Sequence, residues 1–246
     1  MRGKSKKGNF ENRFKPDKWG GVFTEGSSWH YTWSVLHDIQ GLINLMGGKS
    51  NFIEKMDSIF STPPTSDFSY YGFKIHEILE MELINMGQYA HGNQPIQHVL
   101  YLYNYAGQPW KTQEKVRYVM DNLYGSNEDG YCGDEDNGQT SAWFLFSSMG
   151  FYPVAPVTGQ YVIGSPLFEK VEIQLPNNKK IVINSKENNT KSVYIDKVFI
   201  NDKQYYNNWL SHSNLLEGLK IDFIMNETPN FEWGSKQESV PFSVSN

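Results

Sequence analysis

The spacing of apolar residues changes once along the chain, near residue 160, and that change limits the fold more than any other feature. Before it, apolar side chains recur at helical intervals between Gly and Pro stops. From Tyr161 they alternate, as Val171, Ile173 and Leu175, then Ile181 and Ile183, Val193 and Ile195, Val198 and Ile200, and last Ile221, Phe223 and Met225. Turn clusters such as Pro176-Asn177-Asn178 and residues 186–189 separate these runs and read as hairpin connections. The expected architecture is mainly α with a β tail: residues 1–158 helical, residues 159–246 a small antiparallel β region.

Six helices are expected in the first part. The first begins at Ser27 or Ser28 as N-cap and runs to the Gly47-Gly48 stop. The second covers 50–60 and ends before Pro63-Pro64, and the third covers 74–86 and stops at Gly87. A fourth runs from Pro95, a natural first-turn residue, to Tyr105. The fifth takes Thr112 as N-cap and carries Val116, Val119, Met120 and Leu123 as its apolar stripe; the sixth covers 139–149. Joined by short loops these make three antiparallel hairpins, which is half of an (α/α)6 barrel.

Composition removes some function classes. A net charge of −5 gives no basic footprint for nucleic acid. No run approaches the roughly 18 apolar residues of a membrane span, and the first residues lack the apolar stretch of a signal peptide. Cys132, being alone, excludes an internal disulfide. Asn188-Asn189-Thr190 and Asn226-Glu227-Thr228 match glycosylation sequons, a pattern that Asn-rich loops also produce by chance.

Two acidic places stand out. Asp134, Glu135 and Asp136 lie between Gly133 and Asn137-Gly138, just before a helix. Carboxylates this close repel one another, so they call for a cation, a helix N-terminus or a catalytic role. An EF-hand loop is excluded, because its twelfth position counted from Asp134 is Leu145; a plain acidic first turn stays open beside a functional role. Glu25 sits at a helix start among Phe23, Trp29, His30, Tyr31 and Trp33. Poor solvation there would raise its pKa and suit it to general acid work, whereas an ordinary water-facing helix-start Glu would do nothing chemical. Two separated carboxylate sites suggest glycoside hydrolysis, one protonating the leaving oxygen and the other activating water. His37 beside Asp38 reads as a helix-surface pair rather than a catalytic dyad, since no G-x-S-x-G nucleophile accompanies it. The loop 87–95, with Gln88, Asn93 and Gln94, offers amide oxygens to sugar hydroxyls or to a hard cation.

At these same places the sequence resembles glycoside hydrolase family 92. The matching stretches are 23–33, 37–48, 92–95, 101–113, 132–138, 141–143, 149–153 and 161–166, in the family's order. The resemblance implies an inverting exo-α-mannosidase on an α/α barrel, with a required Ca²⁺ that contacts the terminal mannose of a mannose-containing glycan. By position Glu25 would be the general acid, and Asp134 and Asp136 would share the base function in an order left open. Asn93 and Gln94 would face the metal, and Trp29, His30 and His98 would line the sugar pocket. Gln94 departs from the Glu of many relatives, and Ile96-Gln97 from their Ser-His pair. The resemblance also implies periplasmic, cell-surface or secreted location. The Met1-Arg2-Gly3 start is similar to an internal stretch of the family's barrel, so the expectation is a truncated chain that needs a missing N-terminal half or another chain for activity. An inactive carbohydrate-binding fragment and another α/α-barrel glycosidase or phosphorylase are the alternatives.

Overall fold

The computed structural model describes residues 1–245. Its helical part contains α1 (Ser28–Tyr31), α2 (Ile39–Leu45), α3 (Lys49–Ser61), α4 (His76–Ile84), α5 (Pro109–Leu123) and α6 (Gln139–Ser148), with α7 (His212–Leu216) further on. The expected first helix is two. Ser27 caps α1 in a capping box closed by His30, and the Asp38 carboxylate accepts from the Gly41 N–H to start α2 afresh. Asp38 also accepts from Ser243 Oγ at 2.8 Å and from the Ser245 N–H and Oγ at 3.0 and 2.7 Å, so its work is to cap a helix and hold the C-terminal tail.

The expected fourth helix is a 3-10 segment, Gln94–Asn104, with every side chain from Ile96 to Asn104 buried. With the segment enclosed on all sides, packing on every face rather than one stripe turned to the core fixes its path. Thr112 does not start α5. The helix begins one turn earlier at Pro109, and the Thr112 hydroxyl donates to the Leu100 carbonyl at 2.7 Å, tying α5 to the central 3-10 segment. Trp33, Phe52, Met56, Ile59, Tyr89, Tyr101, Tyr103, Val116 and Trp143 form the shared core of this part.

The strands make two sheets. In the smaller, β1 (Phe151–Tyr152), β2 (Gln160–Ile163) and β7 (Trp209–Ser211) pair antiparallel in the order β1-β2-β7. In the larger the order is β3-β4-β8-β5-β6, from β3 (Lys170–Gln174), β4 (Lys180–Lys186), β5 (Tyr194–Ile200), β6 (Lys203–Tyr205) and β8 (Leu219–Asn226). One pairing departs from the antiparallel expectation: β4 and β8 run parallel. Alternation reveals which face of a strand is buried but carries nothing about the direction of its neighbour, and a long connection through β5, β6, β7 and α7 permits the parallel return. The odd step between Ile195 and Val198 marks a bulge in β5, at Ile195/Lys197.

The two parts interlock. Asn104 Nδ2 donates to the Asn208 carbonyl at 3.2 Å while Asn208 Nδ2 donates to the Asn104 carbonyl at 3.1 Å, both residues fully buried. Arg117 on α5, 3% exposed, donates to the Pro166 carbonyl, to Asn188 Oδ1 and to the Asn189 carbonyl. Asn188 is therefore a buried ligand of an arginine. Asn226, exposed at the end of β8, is the sequon with room for a glycan.

Candidate active site

Three loops meet where the helical part opens. One carries Glu25, one Gly92-Asn93-Gln94, and one Cys132 to Gly138. Gly92 and Gly133 touch backbone to backbone: a Cβ on Gly133 would stand 2.5 Å from Gly92 Cα. From this contact the next two residues reach to different loops. Asn93 Nδ2 donates to the Glu25 carbonyl at 2.5 Å, and Gln94 Nε2 donates to the Asp134 carbonyl at 3.3 Å. One dipeptide thus bridges both acidic loops.

The three consecutive carboxylates divide their work. Glu135 accepts from the Gly138 N–H at 2.7 Å and from Ser141 Oγ at 2.6 Å, so it closes the first turn of α6, and these bonds hold its carboxyl below the usual range. Asp134 and Asp136 take no part in that cap and stay exposed. Asp136 and Glu25 share a feature that L-residues avoid, a left-handed backbone with φ of 51° and 45°. Such conformations cost on the order of 1–3 kcal/mol and concentrate at sites where side-chain aim matters.

Glu25 itself is exposed, which corrects the expectation that surrounding rings exclude water from it. Phe23 and Tyr31 stack on one another, ring centroids 5.3 Å apart, and Trp33 is buried in the core instead of against the carboxylate. The neighbouring Tyr31 and Tyr71 are pushed up chiefly by burial, and the Glu25 charge adds to the rise of Tyr31. His30 is 1% exposed, with Nδ1 accepting from the Ser27 N–H at 3.0 Å and Nε2 donating to the Gln88 carbonyl at 3.1 Å. Burial pulls it down to about 4, so it stays neutral and braces the Glu25 loop against the Gln88 loop. Trp29 lines a separate cleft of about 420 Å³, its ring face covered by Lys55 Nζ at 3.6 Å. His98, also lowered to about 4 by burial, donates from Nε2 to the Trp33 carbonyl at 3.0 Å and lines a cleft beside Gln94.

Sequence reasoning missed the face of α4 turned to Asp134. His76 Nδ1 lies 3.0 Å from Glu80 Oε1, and His76 Nε2 lies 3.4 Å from Glu77 Oε1 and 3.9 Å from Asp134 Oδ2. The hydrogen bond to Glu80 raises His76, and burial raises Glu80 against the pull of that histidine. The i, i+4 pair His76 and Glu80 was the available signal. Glu80 Oε2 and Glu77 Oε2 are buried without a hydrogen-bond partner.

Those orphaned oxygens bear on the calcium expectation. Among the described residues no group of three or more His, Cys, Asp or Glu side chains converges into a metal centre. The donors beside the bridge are nevertheless of the kind a hard cation takes. Asn93 and Gln94 spend their amide nitrogens on backbone carbonyls, which leaves Asn93 Oδ1 and Gln94 Oε1 without a protein donor, and Glu80 Oε2 would stand 2.9–3.0 Å from a Cβ on Gly92 or Gly133. In kind, these oxygens match what calcium takes.

The catalytic-domain model of glycosyl hydrolase family 92 matches residues 1–227. The chain belongs to glycoside hydrolase family 92. Among solved structures it is similar to an inverting family 92 mannosidase of Bacteroides thetaiotaomicron, 52% identical with a TM-score of 0.87 over 100% of this chain and 33% of that one. It is also similar to a family 92 α-mannosidase of the same organism in complex with mannoimidazole, 35% identical with a TM-score of 0.89, covering 99% of this chain and 32% of that one. A curated relative, an uncharacterized secreted glycosidase of Arthroderma benhamiae, is 27% identical over 89% of this chain and 26% of its own length. The chain thus spans about a third of these solved family members and about a quarter of the curated one.

Proposed function

We propose that this chain carries the acid and the base of an inverting, calcium-dependent exo-α-mannosidase acting on mannose-containing glycans such as N-glycan or mannan chains. The observation that carries the reading is the bridge through Asn93 and Gln94, which joins the Glu25 loop to the Asp134 loop. In this reading Glu25, protonated, donates to the leaving glycosidic oxygen. Asp136 takes a proton from water attacking the opposite face of the sugar, and Asp134 supports it; roughly 6.5–9.5 Å between acid and base carboxyls leaves space for that water. Glu135 stays outside the chemistry because α6 uses both of its oxygens.

Calcium would be held by Asn93, Gln94 and Glu80. When bound, it supplies a Lewis-acidic contact to vicinal hydroxyls of the terminal mannose. Asn93 and Gln94 meanwhile keep the two acidic loops at fixed separation. His30 braces the Glu25 loop from within, Trp29 faces its own cleft beside Lys55, and His98 lines the sugar side near Gln94.

The helical part is read as half of an (α/α)6 barrel, with the remaining wall supplied by further polypeptide. Leu45 at 87%, Leu83 at 82% and Leu145 at 60% exposure supply apolar surface for it to cover. Covering would also dry the surroundings of Glu25, as a general acid requires. Periplasmic, cell-surface or secreted location fits the secreted relative. No helix among the described residues is long and apolar enough to cross a membrane.

The test is release of mannose from α-1,2-mannobiose by the purified chain mixed with the N-terminal two thirds of the Bacteroides inverting mannosidase. Calcium-dependent release, stopped by EDTA and by Glu25→Gln, is expected. Release that survives both overturns the reading.

A further inference from the structure

The turn that leads from Asp136 into α6 holds a pair of residues that the proposed chemistry does not use. Asn137-Gly138 is the only Asn-Gly pair in the chain. Both residues are exposed, and both have a left-handed backbone, with φ of 58° at Asn137 and 97° at Gly138. The Asn137 side-chain amide is held by no hydrogen bond among the described residues.

An asparagine followed by glycine carries a reaction of its own, because no Cβ stands over the glycine nitrogen when it attacks the asparagine side chain. At Gly138 the surroundings do not guard that nitrogen either: around the position a Cβ would take, nothing lies within 4 Å. In the reaction the Gly138 N–H loses its proton, a bond forms between Gly138 N and Asn137 Cγ, and the Cγ–Nδ2 bond breaks. The amide nitrogen leaves as ammonia with that proton. Water then opens the resulting succinimide ring, at Cγ to give aspartate or at the Asn137 main-chain carbonyl to give isoaspartate. Water is the only co-reactant.

One contact opposes this chemistry. The Gly138 N–H donates to Glu135 Oε2 at 2.7 Å. A carboxylate that accepts this hydrogen favours the neutral nitrogen, and its charge repels the amide anion that attack requires. The cap that starts α6 is thus also a brake on the neighbouring asparagine.

We infer that Asn137 is a site of spontaneous deamidation inside the loop of the two candidate base residues, and that Glu135 sets the pace of its conversion. The reaction depends on this turn alone, whatever the substrate of the chain. Its products alter the loop in two ways. Aspartate adds a fourth carboxylate directly after Asp136. Isoaspartate routes the chain through Cβ and lengthens the link between Asp136 and α6, which pulls the Gly138 N–H off Glu135 and the Gln139 N–H off the Asp136 carbonyl, now 3.2 Å away.

The test is incubation of the folded chain at pH 8 and 37 °C, with peptide mapping and enzymatic methylation of isoaspartate to locate and count the products. Conversion at residue 137 should run ahead of every other asparagine. Glu135→Gln should speed it roughly threefold or more, while Ser141→Ala, which loosens the same helix start but leaves the carboxylate on Gly138, should convert at the parent's rate. Conversion first at another asparagine, or none at 137 over a period in which the urea-unfolded chain converts, overturns the site. A parental rate in Glu135→Gln, or equal acceleration in Ser141→Ala, overturns the brake.

Discussion

Gly92 and Gly133 pack against each other so closely that neither has space for a methyl group. A Cβ on Gly92 would stand 2.6 Å from the Cys132 carbonyl oxygen and 2.9 Å from Gly133 Cα. Both obstacles are backbone, which cannot rotate away. Gly92→Ala is therefore expected to push the Asn93-Gln94 bridge off the acidic loops, at about 1–3 kcal/mol in stability, in the range of other overpacking changes. Urea unfolding measures the cost, and a midpoint equal to the parent's would contradict the contact.

The three adjacent carboxylates should separate cleanly by substitution. Glu135→Gln weakens the α6 cap and lowers the melting temperature, because its oxygens accept from Gly138 and Ser141. Asp136→Asn should leave the melting temperature near the parent's and reduce mannose release by roughly 10²–10⁴-fold, the usual contribution of a general base. A reversed pattern, with Asp136→Asn unfolding the chain and Glu135→Gln sparing it, would refute the division.

Much of this division was hidden in the sequence. The run 133–138 announced that carboxylates were crowded before a helix, yet which one caps depends on the turn geometry, and the left-handed Asp136 and Asn137 set it. Helix existence was readable wherever an apolar stripe met a Gly or Pro stop, as at α3 and α6. The break between α1 and α2 was not, because Trp33 and Leu36 continue the apolar pattern through it while Asp38 starts a new cap. The α4 face was missed for a related reason: its importance lies in Asp134, 58 residues beyond His76 in sequence but 3.9 Å from it.

His91 links two tyrosines in the core. The Tyr89 hydroxyl lies 2.6 Å from its Nδ1 and the Tyr124 hydroxyl 2.8 Å from its Nε2, with Trp143 edge-on at 4.3 Å. His91→Phe keeps a ring of similar shape and strands both hydroxyls, each worth about 1–3 kcal/mol when buried without a partner. Tyr124→Phe removes one hydroxyl and should cost less. Equal unfolding midpoints for the two variants would argue against the network.

Stability should fall in mild acid. Burial pulls His91 down to about 3 and His30 and His98 to about 4, against an unperturbed value of 6.5. Between those values the unfolded chain binds protons that the folded chain refuses, so stability is complete above about pH 6.5 and drops as pH falls toward 4. Asp38, drawn down to about 2 first by its bond from Ser245, extends the loss below pH 4. Urea midpoints at pH 7.0 and 4.5 measure it; an unchanged midpoint would contradict neutral burial of these rings.

If Glu25 and Asp136 work from opposite sides of the sugar, the anomeric form of the first product reveals it. Proton NMR during hydrolysis of α-1,2-mannobiose by the completed enzyme should show β-mannose first, with the α-anomer rising only through mutarotation, and Asp136→Asn should abolish both. Initial release of α-mannose, or release that persists in Asp136→Asn, would contradict the account.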